Sequence, residues 1–322
     1  MRKLFGVAAT LFSTIALLAA ACGGVAQPQA QTSPVEKPAP KPKLVIAIQP
    51  TANPDQLSAE SKELEQYLEQ KVDADVQIIV PTLFAGVIEA LRFGHAQAAF
   101  MSAWPAALAA KHAGTEVALA EVREVVIGQD KQEKPFYFSY WVTRKDSQYT
   151  SLSDLKGKKV AFSSPLSTSG YVFPMARLVE LGLVTSTGKD PDPKEFFGDV
   201  VFAGCYAQAW EALKQGQVDA TIIAGDVSEK LYREVLDGTR ILEQQGPIPS
   251  HAVVFSKDLS EPLRSQLSAA LLDLGSPERR PLMRKFISGI FIGFQASNNE
   301  THLGALARAL DSSKLKFTEA LR

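Results

Sequence analysis

Short apolar runs alternate with amphipathic stretches along most of the chain, and this alternation predicts strands interleaved with helices. The run at 44–49 predicts a strand, whereas apolar residues in the segment 56–71 recur at helical spacing. Strand–helix alternation of this kind is typical of an α/β fold with largely parallel sheets. The other predicted strands lie at 75–80, within 96–104, and at 136–142, 158–164, 199–204 and 218–225, and the other predicted helices lie at 83–94 and 206–214.

One helix–turn–strand pattern occurs twice, with the second copy 122 residues after the first. The first copy begins at Phe84 and the second at Tyr206, and each continues with Glu-Ala-Leu and a glycine at the same spacing. Chance convergence on a common module is one interpretation. The other is a pair of similar α/β lobes, each presenting the start of an equivalent helix, with a ligand cleft between them.

The first 22 residues have the pattern of a signal segment. Two basic residues precede an apolar run from Leu4 to Leu18, which is short for a membrane span. The run ends in Leu-Ala-Ala-Ala-Cys, which resembles a bacterial lipoprotein cleavage site, although the leucine stands one position further from Cys22 than usual. We therefore expect a lipid on Cys22; the alternative is an ordinary secretory signal cut after one of the alanines.

A second segment, 23–43, is rich in proline and glutamine and has no apolar periodicity. Such a composition cannot bury a core and predicts an extended tether. A lipid followed by a tether would hold the body of the protein, from about Leu44 to Arg322, at the outer face of a cell membrane or in the periplasm.

Composition narrows the classes of partner. The formal net charge of −1 gives no reason to expect nucleic acid or an anionic bilayer as a ligand. The four histidines have no metal-ligand spacing among themselves or with Cys205, so we expect neither a metal nor another cofactor. If Cys22 carries lipid, Cys205 has no disulfide partner, and we expect it to be a small buried residue and not a nucleophile.

The residues with the clearest chemistry are Ser167, Thr168 and Ser169, which lie between a predicted strand and a predicted helix. Backbone N–H groups at the start of a helix are unpaired and the helix dipole is positive there, so hydroxyls at this place can bind a small oxyanion. The alternative is a simple cap, because serine and threonine are preferred capping residues.

The chain resembles the substrate-binding lipoproteins of phosphonate, phosphite and phosphate ABC importers over nearly all of residues 44–275. The resemblance rests on SPLSTSGY above all, supported by VPTLFAGVIEALRFG, LSDLKGKKVAF, GQVDA and GPIPSHAVVFSKDLS. It implies a type II periplasmic-binding fold, with two α/β lobes joined by two crossing strands around a ligand cleft. We expect the first lobe at 44–143 plus 253–322 and the second at 144–252. The resemblance also implies that the three hydroxyls hold the phosphorus oxyanion.

The chain departs from the usual family pattern on the opposite wall of the cleft. Leu83-Phe84 stands where Asp-Tyr is usual, Cys205-Tyr206-Ala207 where Gly-His-Asp is usual, and Ser250-His251 where Asn-Asp is usual. Each lost neutral donor typically costs about 1–3 kcal/mol. An aromatic lining suits an organic substituent or a cationic head group; the residues that would form it are Phe84, Trp104, Tyr137 and Tyr206.

Four of the candidates have a structural alternative. Asp226 stands where the family has an acidic cleft residue and could accept the proton of a monoprotonated phosphonate, but it could instead cap the helix that begins near Ser228. Tyr206 could donate its hydroxyl to an anion or pack between the lobes. Trp104 and Tyr137 are equally compatible with a cleft wall and with the core.

The sequence thus predicts a monomeric receptor, not an enzyme, that captures a small phosphonate-like or phosphite-like oxyanion by lobe closure. Its partners would be the permease and ATPase of an ABC importer, and the membrane through the lipid anchor. The alternatives are a receptor of the same fold for another oxyanion or an organic ligand, and an exported enzyme or sensor.

Overall fold

A computed structural model describes residues 40–186, 190–312 and 317 of the chain. The predicted signal segment, Cys22 and nearly all of the predicted tether lie outside the described residues. Within the described part, no helix is both long enough and apolar enough to cross a membrane. The strands, in chain order, are β1 (Lys43–Ile48), β2 (Asp75–Ile79), β3 (Ala98–Met101), β4 (Glu116–Ile127), β5 (Asp130–Lys134), β6 (Phe136–Arg144), β7 (Lys159–Phe162), β8 (Asp199–Phe202), β9 (Thr221–Ala224), β10 (Thr239–Pro249), β11 (Ala252–Phe255) and β12 (Phe291–Ala296).

Helices separate most of these strands. A π-helical turn, Thr168–Val172, leads into one of them, and short 3-10 turns occur at Leu152–Leu155 and Pro193–Glu195. The α-helices are α1 (Pro54–Glu60), α2 (Lys62–Glu69), α3 (Phe84–Arg92), α4 (Ala103–Ala113), α5 (Phe173–Glu180), α6 (Tyr206–Lys214), α7 (Glu229–Gly238), α8 (Leu263–Asp273), α9 (Arg280–Arg284) and α10 (Asn299–Ser312).

The strands of the described residues pair into three sheets. The first sheet has the order β12-β4-β11-β3-β1-β2, with β5 added to β4, and the second has the order β10-β6-β9. The third consists of β7 and β8, and an isolated bridge from Val160 to Ala220 connects it to the segment before β9. We refer to the first sheet with its helices as the first lobe, and to the other two sheets with theirs as the second lobe.

The prediction of largely parallel sheets is wrong for six of the nine strand pairs among the described residues. β1 pairs in parallel with β2 and β3, and β7 pairs in parallel with β8. The pairs that β4, β6 and β11 make are antiparallel. The reason is that the chain passes between the lobes twice. The strands before and after these passages, β4 with β11 and β6 with β10, therefore run in opposite directions and pair antiparallel.

The two passages lie side by side. The chain leaves the first sheet between Lys134 and Phe136 and returns between Pro249 and Ala252, and the backbone N–H of Ser250 donates to the carbonyl of Pro135 at 3.1 Å. The lobe boundaries expected from sequence, after 143 and after 252, stay predictions.

The duplicated pattern folds the same way in both lobes. α3 begins at Phe84 and α6 at Tyr206, as predicted, and each is followed by a glycine with positive φ, 72° at Gly94 and 70° at Gly216. Only glycine adopts this conformation without strain, which fixes the end of each helix. The predicted helix at 56–71, by contrast, is two helices that meet at Ser61, whose hydroxyl donates to the carbonyl of Ser58 at 2.9 Å.

Candidate functional site

The Ser-Thr-Ser segment lies in the second lobe, where the chain leaves β7 and enters α5 through the π-helical turn. The hydroxyl of Ser167 accepts from the N–H of Gly170 at 3.0 Å, so this serine does cap the turn, as one of the two interpretations required. Gly170 is needed for the close packing here, because a Cβ at this position would lie 2.1 Å from the hydroxyl of Ser163. All three hydroxyl-bearing residues are fully buried.

Thr168 and Ser169 make contacts that a helix cap does not. Thr168 accepts through Oγ1 from the backbone N–H of Trp104 at 2.8 Å, a bond between the second lobe and the first. The hydroxyl of Ser169 lies 2.6 Å from that of Tyr206 and donates to Asp226 Oδ2 at 2.9 Å. The start of α6 therefore meets the start of the π-helical turn at a shared set of hydroxyl groups.

Asp226 is the centre of this network. Besides Ser169, its Oδ2 accepts from the hydroxyl of Tyr137 at 3.3 Å and lies 3.2 Å from Nε2 of His251 in the first lobe. The alternative role as a helix cap is wrong, because Ser228 caps α7 by accepting from the N–H of Leu231 at 3.3 Å. Asp226 is fully buried.

Ionisation states in the network follow from burial and neighbouring charge. Burial acts to raise the pKa of Asp226, but the hydrogen bond from His251 and the charge of Arg123 outweigh it, so its pKa is lowered and it is a carboxylate. Burial, followed by the charge of Asp226, holds the pKa of Tyr137 and of Tyr206 well above the usual value. Both tyrosines are therefore neutral and can donate.

Two charged residues of β4 complete the site from the first lobe. Glu121 and Arg123 are two positions apart, so their side chains leave the strand on the same face, and Arg123 Nη2 donates to Glu121 Oε2 at 2.8 Å. The guanidinium carbon of Arg123 lies 3.9 Å from the centroid of the Tyr137 ring, and both members of the pair are fully buried. Burial alone would lower the pKa of Arg123, but the charge of Glu121 outweighs it and the pKa is raised.

Several polar atoms of the site have no hydrogen-bond partner within the described residues. They include two donors of Arg123, Nε and Nη1, and two acceptors, Glu121 Oε1 and Asp226 Oδ1, together with the hydroxyl of Ser163. Buried polar groups are almost always paired in native proteins, so a cluster of such atoms indicates a binding site for a polar ligand. The donors suit an oxyanion, and the acceptors suit a ligand that also carries a proton.

The sequence-predicted residues do not all reach this cluster. Tyr206, Asp226, Tyr137 and the three hydroxyl residues come together, and Trp104 meets them through its backbone N–H. The Phe84 side chain lies in the apolar core. The ring of Trp104 contacts that of Phe317, with centroids 6.2 Å apart.

Sequence reasoning missed Arg123, Glu121 and the contact of His251. The available signal was weak: a charge pair at alternate positions of a valine-rich segment, which also fits a half-exposed strand. Cys205 is buried, and burial raises the pKa of its thiol, as expected for an unreactive cysteine. No group of histidine, cysteine and acidic side chains in the described part of the chain could hold a metal ion.

The chain is similar to a known protein family over most of its length. Residues 46–301 match the model of a family described as the periplasmic substrate-binding protein of phosphonate ABC transporters. The phosphate-import protein PhnD of Mycolicibacterium smegmatis is 32% identical over 213 residues, which are 66% of this chain and 63% of that relative. The alignment thus spans less than two thirds of the length of the relative.

Solved structures show the fold. The binding-protein component of an ABC phosphonate transporter from Pseudomonas aeruginosa superposes with a TM-score of 0.71 at 20% identity, covering 85% of this chain and 87% of that one. PhnD1 of Prochlorococcus marinus, solved in complex with methylphosphonate, gives 0.66 at 14% identity, covering 84% and 97%. The fold is the type II periplasmic-binding fold, two α/β lobes around a cleft.

Proposed function

We propose, from the premise that this chain belongs to the family of periplasmic substrate-binding proteins of phosphonate ABC transporters, that it captures a small phosphorus oxyanion between its lobes and delivers it to a permease. The family consists of binding proteins, not of enzymes. The observation that carries the proposed ligand class is the fully buried guanidinium of Arg123, whose Nε and Nη1 lack partners within the described residues. A buried, permanently charged guanidinium presents forked N–H groups that suit the oxygens of a phosphonate or phosphite.

The neutral hydroxyls of Ser169 and Tyr206 would turn to the ligand in exchange for their present partners, since Ser169 here donates its single proton to Asp226. The hydroxyl oxygens of Ser169 and Tyr206 lie 2.6 Å apart in the second lobe, whereas Arg123 belongs to the first lobe. An oxyanion between them would receive donors from both sides in a water-excluded site, where each hydrogen bond is stronger than in bulk water.

The two carboxylates restrict which oxyanion fits. Asp226 Oδ1 and Glu121 Oε1 are acceptors without a partner among the described atoms, and both carboxyl groups are buried. A monoprotonated phosphonate, phosphite or phosphate, or the ammonium of an aminoalkylphosphonate, can donate to one of them. Sulfate and sulfonates have no such proton at neutral pH, and an unsatisfied buried acceptor costs about 1–3 kcal/mol, which is about tenfold to a hundredfold in affinity.

Closure assembles the site. The bond from Trp104 N–H to Thr168, the contact of His251 with Asp226 and the stacking of Arg123 on Tyr137 all join one lobe to the other. Separating the lobes would break all three contacts, so ligand binding and closure would be coupled as a population shift between open and closed forms.

Delivery and anchoring are part of the same proposal. A lipid on Cys22 would hold the receptor, as an exported monomer, beside the permease and ATPase of its importer. Labelling of the protein with radioactive palmitate in a bacterial host is expected for the wild type and lost in Cys22→Ser. Labelling that persists in the variant would contradict the anchor without touching the ligand proposal.

The ligand is tested by isothermal titration and thermal shift with phosphite, methylphosphonate, 2-aminoethylphosphonate, phosphate and sulfate. At a hundred times its dissociation constant a true ligand adds about 2.7 kcal/mol of stability. We expect one or more phosphorus oxyanions to bind, sulfate to fail, and Ser169→Ala to weaken binding, with Ser153→Ala as a control at an exposed serine of the same lobe. A shift with a sulfonate or an aromatic compound, and none with a phosphorus oxyanion, would refute the proposal.

A further inference from the structure

The segment Ser288–Ile290, between α9 and β12 of the first lobe, lies directly against the backbone that carries Asp226 in the second. The hydroxyl of Ser288 donates to the carbonyl of Gly225 at 3.0 Å, and the N–H of Gly289 donates to the carbonyl of Val227 at 2.6 Å. These two bonds bracket Asp226 from either side. Ser288 is fully buried, so the contact is shielded from water.

The approach of the two backbones is close enough to require glycine. A Cβ on Gly289 would lie 2.7 Å from the Cα and 3.0 Å from the N of Glu229, and backbone atoms cannot move aside as a side chain can. A Cβ on Gly225 would lie 2.3 Å from Cδ1 of Ile290. Glycine on both sides of a contact allows backbones to meet at this distance.

The same segment is fixed to the first lobe beside Arg123. The N–H of Glu124 donates to the carbonyl of Ile290 at 2.9 Å, and the N–H of Phe291 donates to the carbonyl of Ser288 at 3.1 Å. The segment Ser288–Ile290 therefore bonds both to Glu124, which follows Arg123, and to the two residues that flank Asp226. It belongs neither to the Ser-Thr-Ser turn nor to the start of α3 or α6.

We propose that Ser288–Ile290 is a closure latch that positions Asp226 in the ligand site when the lobes come together. The inference rests on the proposed function, because it names the residues that set the geometry of the same site. Gly289 and Ser288 act through Asp226 and are positioning residues. Their contribution to affinity arises from the closed form, in which the bonds to Gly225 and Val227 exist.

The test compares Gly289→Ala and Ser288→Ala with Gly304→Ala, a glycine on α10 where a Cβ meets only the end of the Arg308 side chain, at 3.4 Å. Titration with methylphosphonate should give a dissociation constant raised about tenfold or more by G289A and severalfold by S288A, with G304A within about twofold of the wild type. The circular dichroism spectrum of the ligand-free G289A protein should match that of G304A, because the proposed defect loosens the contact between the lobes and not the fold of either lobe.

A double-mutant cycle separates positioning from a general structural effect. If the latch acts through Asp226, then G289A should weaken binding much less in a D226N background than in the wild type. Full additivity would overturn the role in positioning, and unchanged affinity in G289A would overturn the latch while leaving the proposed function intact. Should G289A not fold, the same cycle is made with S288A.

Hydrogen exchange keeps the latch testable without a ligand. If the wild type bound none of the phosphorus oxyanions, the proposed function would fail, but the latch would still predict faster amide exchange in segments 285–291 and 225–231 of G289A than of G304A. Equal exchange in both segments would overturn it.

Discussion

Arg123 is the residue whose replacement tests the ligand site most directly, but its removal alone would confuse binding with stability. Its guanidinium bonds to Glu121 at 2.8 Å, and both side chains are at most 1% exposed. Removing one partner of such a pair leaves an uncompensated buried charge and costs about 3–5 kcal/mol of unfolding free energy. Replacing both partners together leaves no uncompensated buried charge and therefore costs less.

The informative variant is therefore E121Q/R123M. Two charge-assisted hydrogen bonds to the ligand, at about 1.5–3 kcal/mol each, would be lost with the guanidinium. The dissociation constant for methylphosphonate or phosphite should then rise by a factor of at least about 100. The free energy of unfolding, measured in urea without ligand, should fall by less in E121Q/R123M than in R123M alone, where the charge of Glu121 stays buried without its partner.

The matched control is a second arginine–glutamate pair that lies away from the site. Arg177 Nε donates to Glu243 at 3.0 Å on the surface of the second lobe, and the two side chains are 34% and 25% exposed. R177M/E243Q removes the same groups and should leave affinity within about twofold of the wild type, as expected for a partly exposed pair. Wild-type affinity in E121Q/R123M would refute the assignment of Arg123 as an anion ligand.

Three further changes test other parts of the structure. Y206F removes the hydroxyl that lies 2.6 Å from Ser169 and should weaken phosphonate binding in titrations by about 1–3 kcal/mol, without change to the fold by circular dichroism. Burial, together with the charge of His251, lowers the pKa of His302 to about 4. As the pH falls, the unfolded chain therefore takes up a proton at this histidine before the folded protein does. The free energy of unfolding of the wild type should fall by about 2 kcal/mol between about pH 7 and about pH 5. In H302Q this part of the pH dependence should vanish in urea unfolding curves. G170A would place a Cβ 2.1 Å from the hydroxyl of Ser163. The overpacking should cost about 1–3 kcal/mol of unfolding free energy, lower the melting temperature and weaken ligand binding. A wild-type melting temperature would show that the turn tolerates the methyl group.

The elements that the sequence predicted are those with local signals. The starts of α3 and α6, at Phe84 and Tyr206, follow from apolar spacing and a terminating glycine. The turn at Thr168–Val172 follows from its hydroxyls and its place after a strand. The break at Ser61 was missed because apolar residues keep helical spacing on both sides of it.

The contacts that make the site are long-range, and no local pattern encodes them. Arg123 faces the network of Asp226 because the chain crosses between lobes twice, and the crossing that brings His251 close comes near the end of the fold. Buried charges are rare, and a glutamate and an arginine at alternate strand positions more often face solvent. The sequence could therefore locate the hydroxyls but not the cation opposite them.

The hydrogen bond from Ser250 to Pro135 ties the two passages between the lobes together at 3.1 Å. Two connections that are bonded to each other bend together more readily than separately, so rotation about one axis should be the main relative motion of the lobes. We expect fluorescent or spin probes at any two interlobe positions to report one common rate constant for closure. The closed, ligand-bound form would then differ from the open form by one interlobe angle, and an importer could distinguish the two forms by that angle.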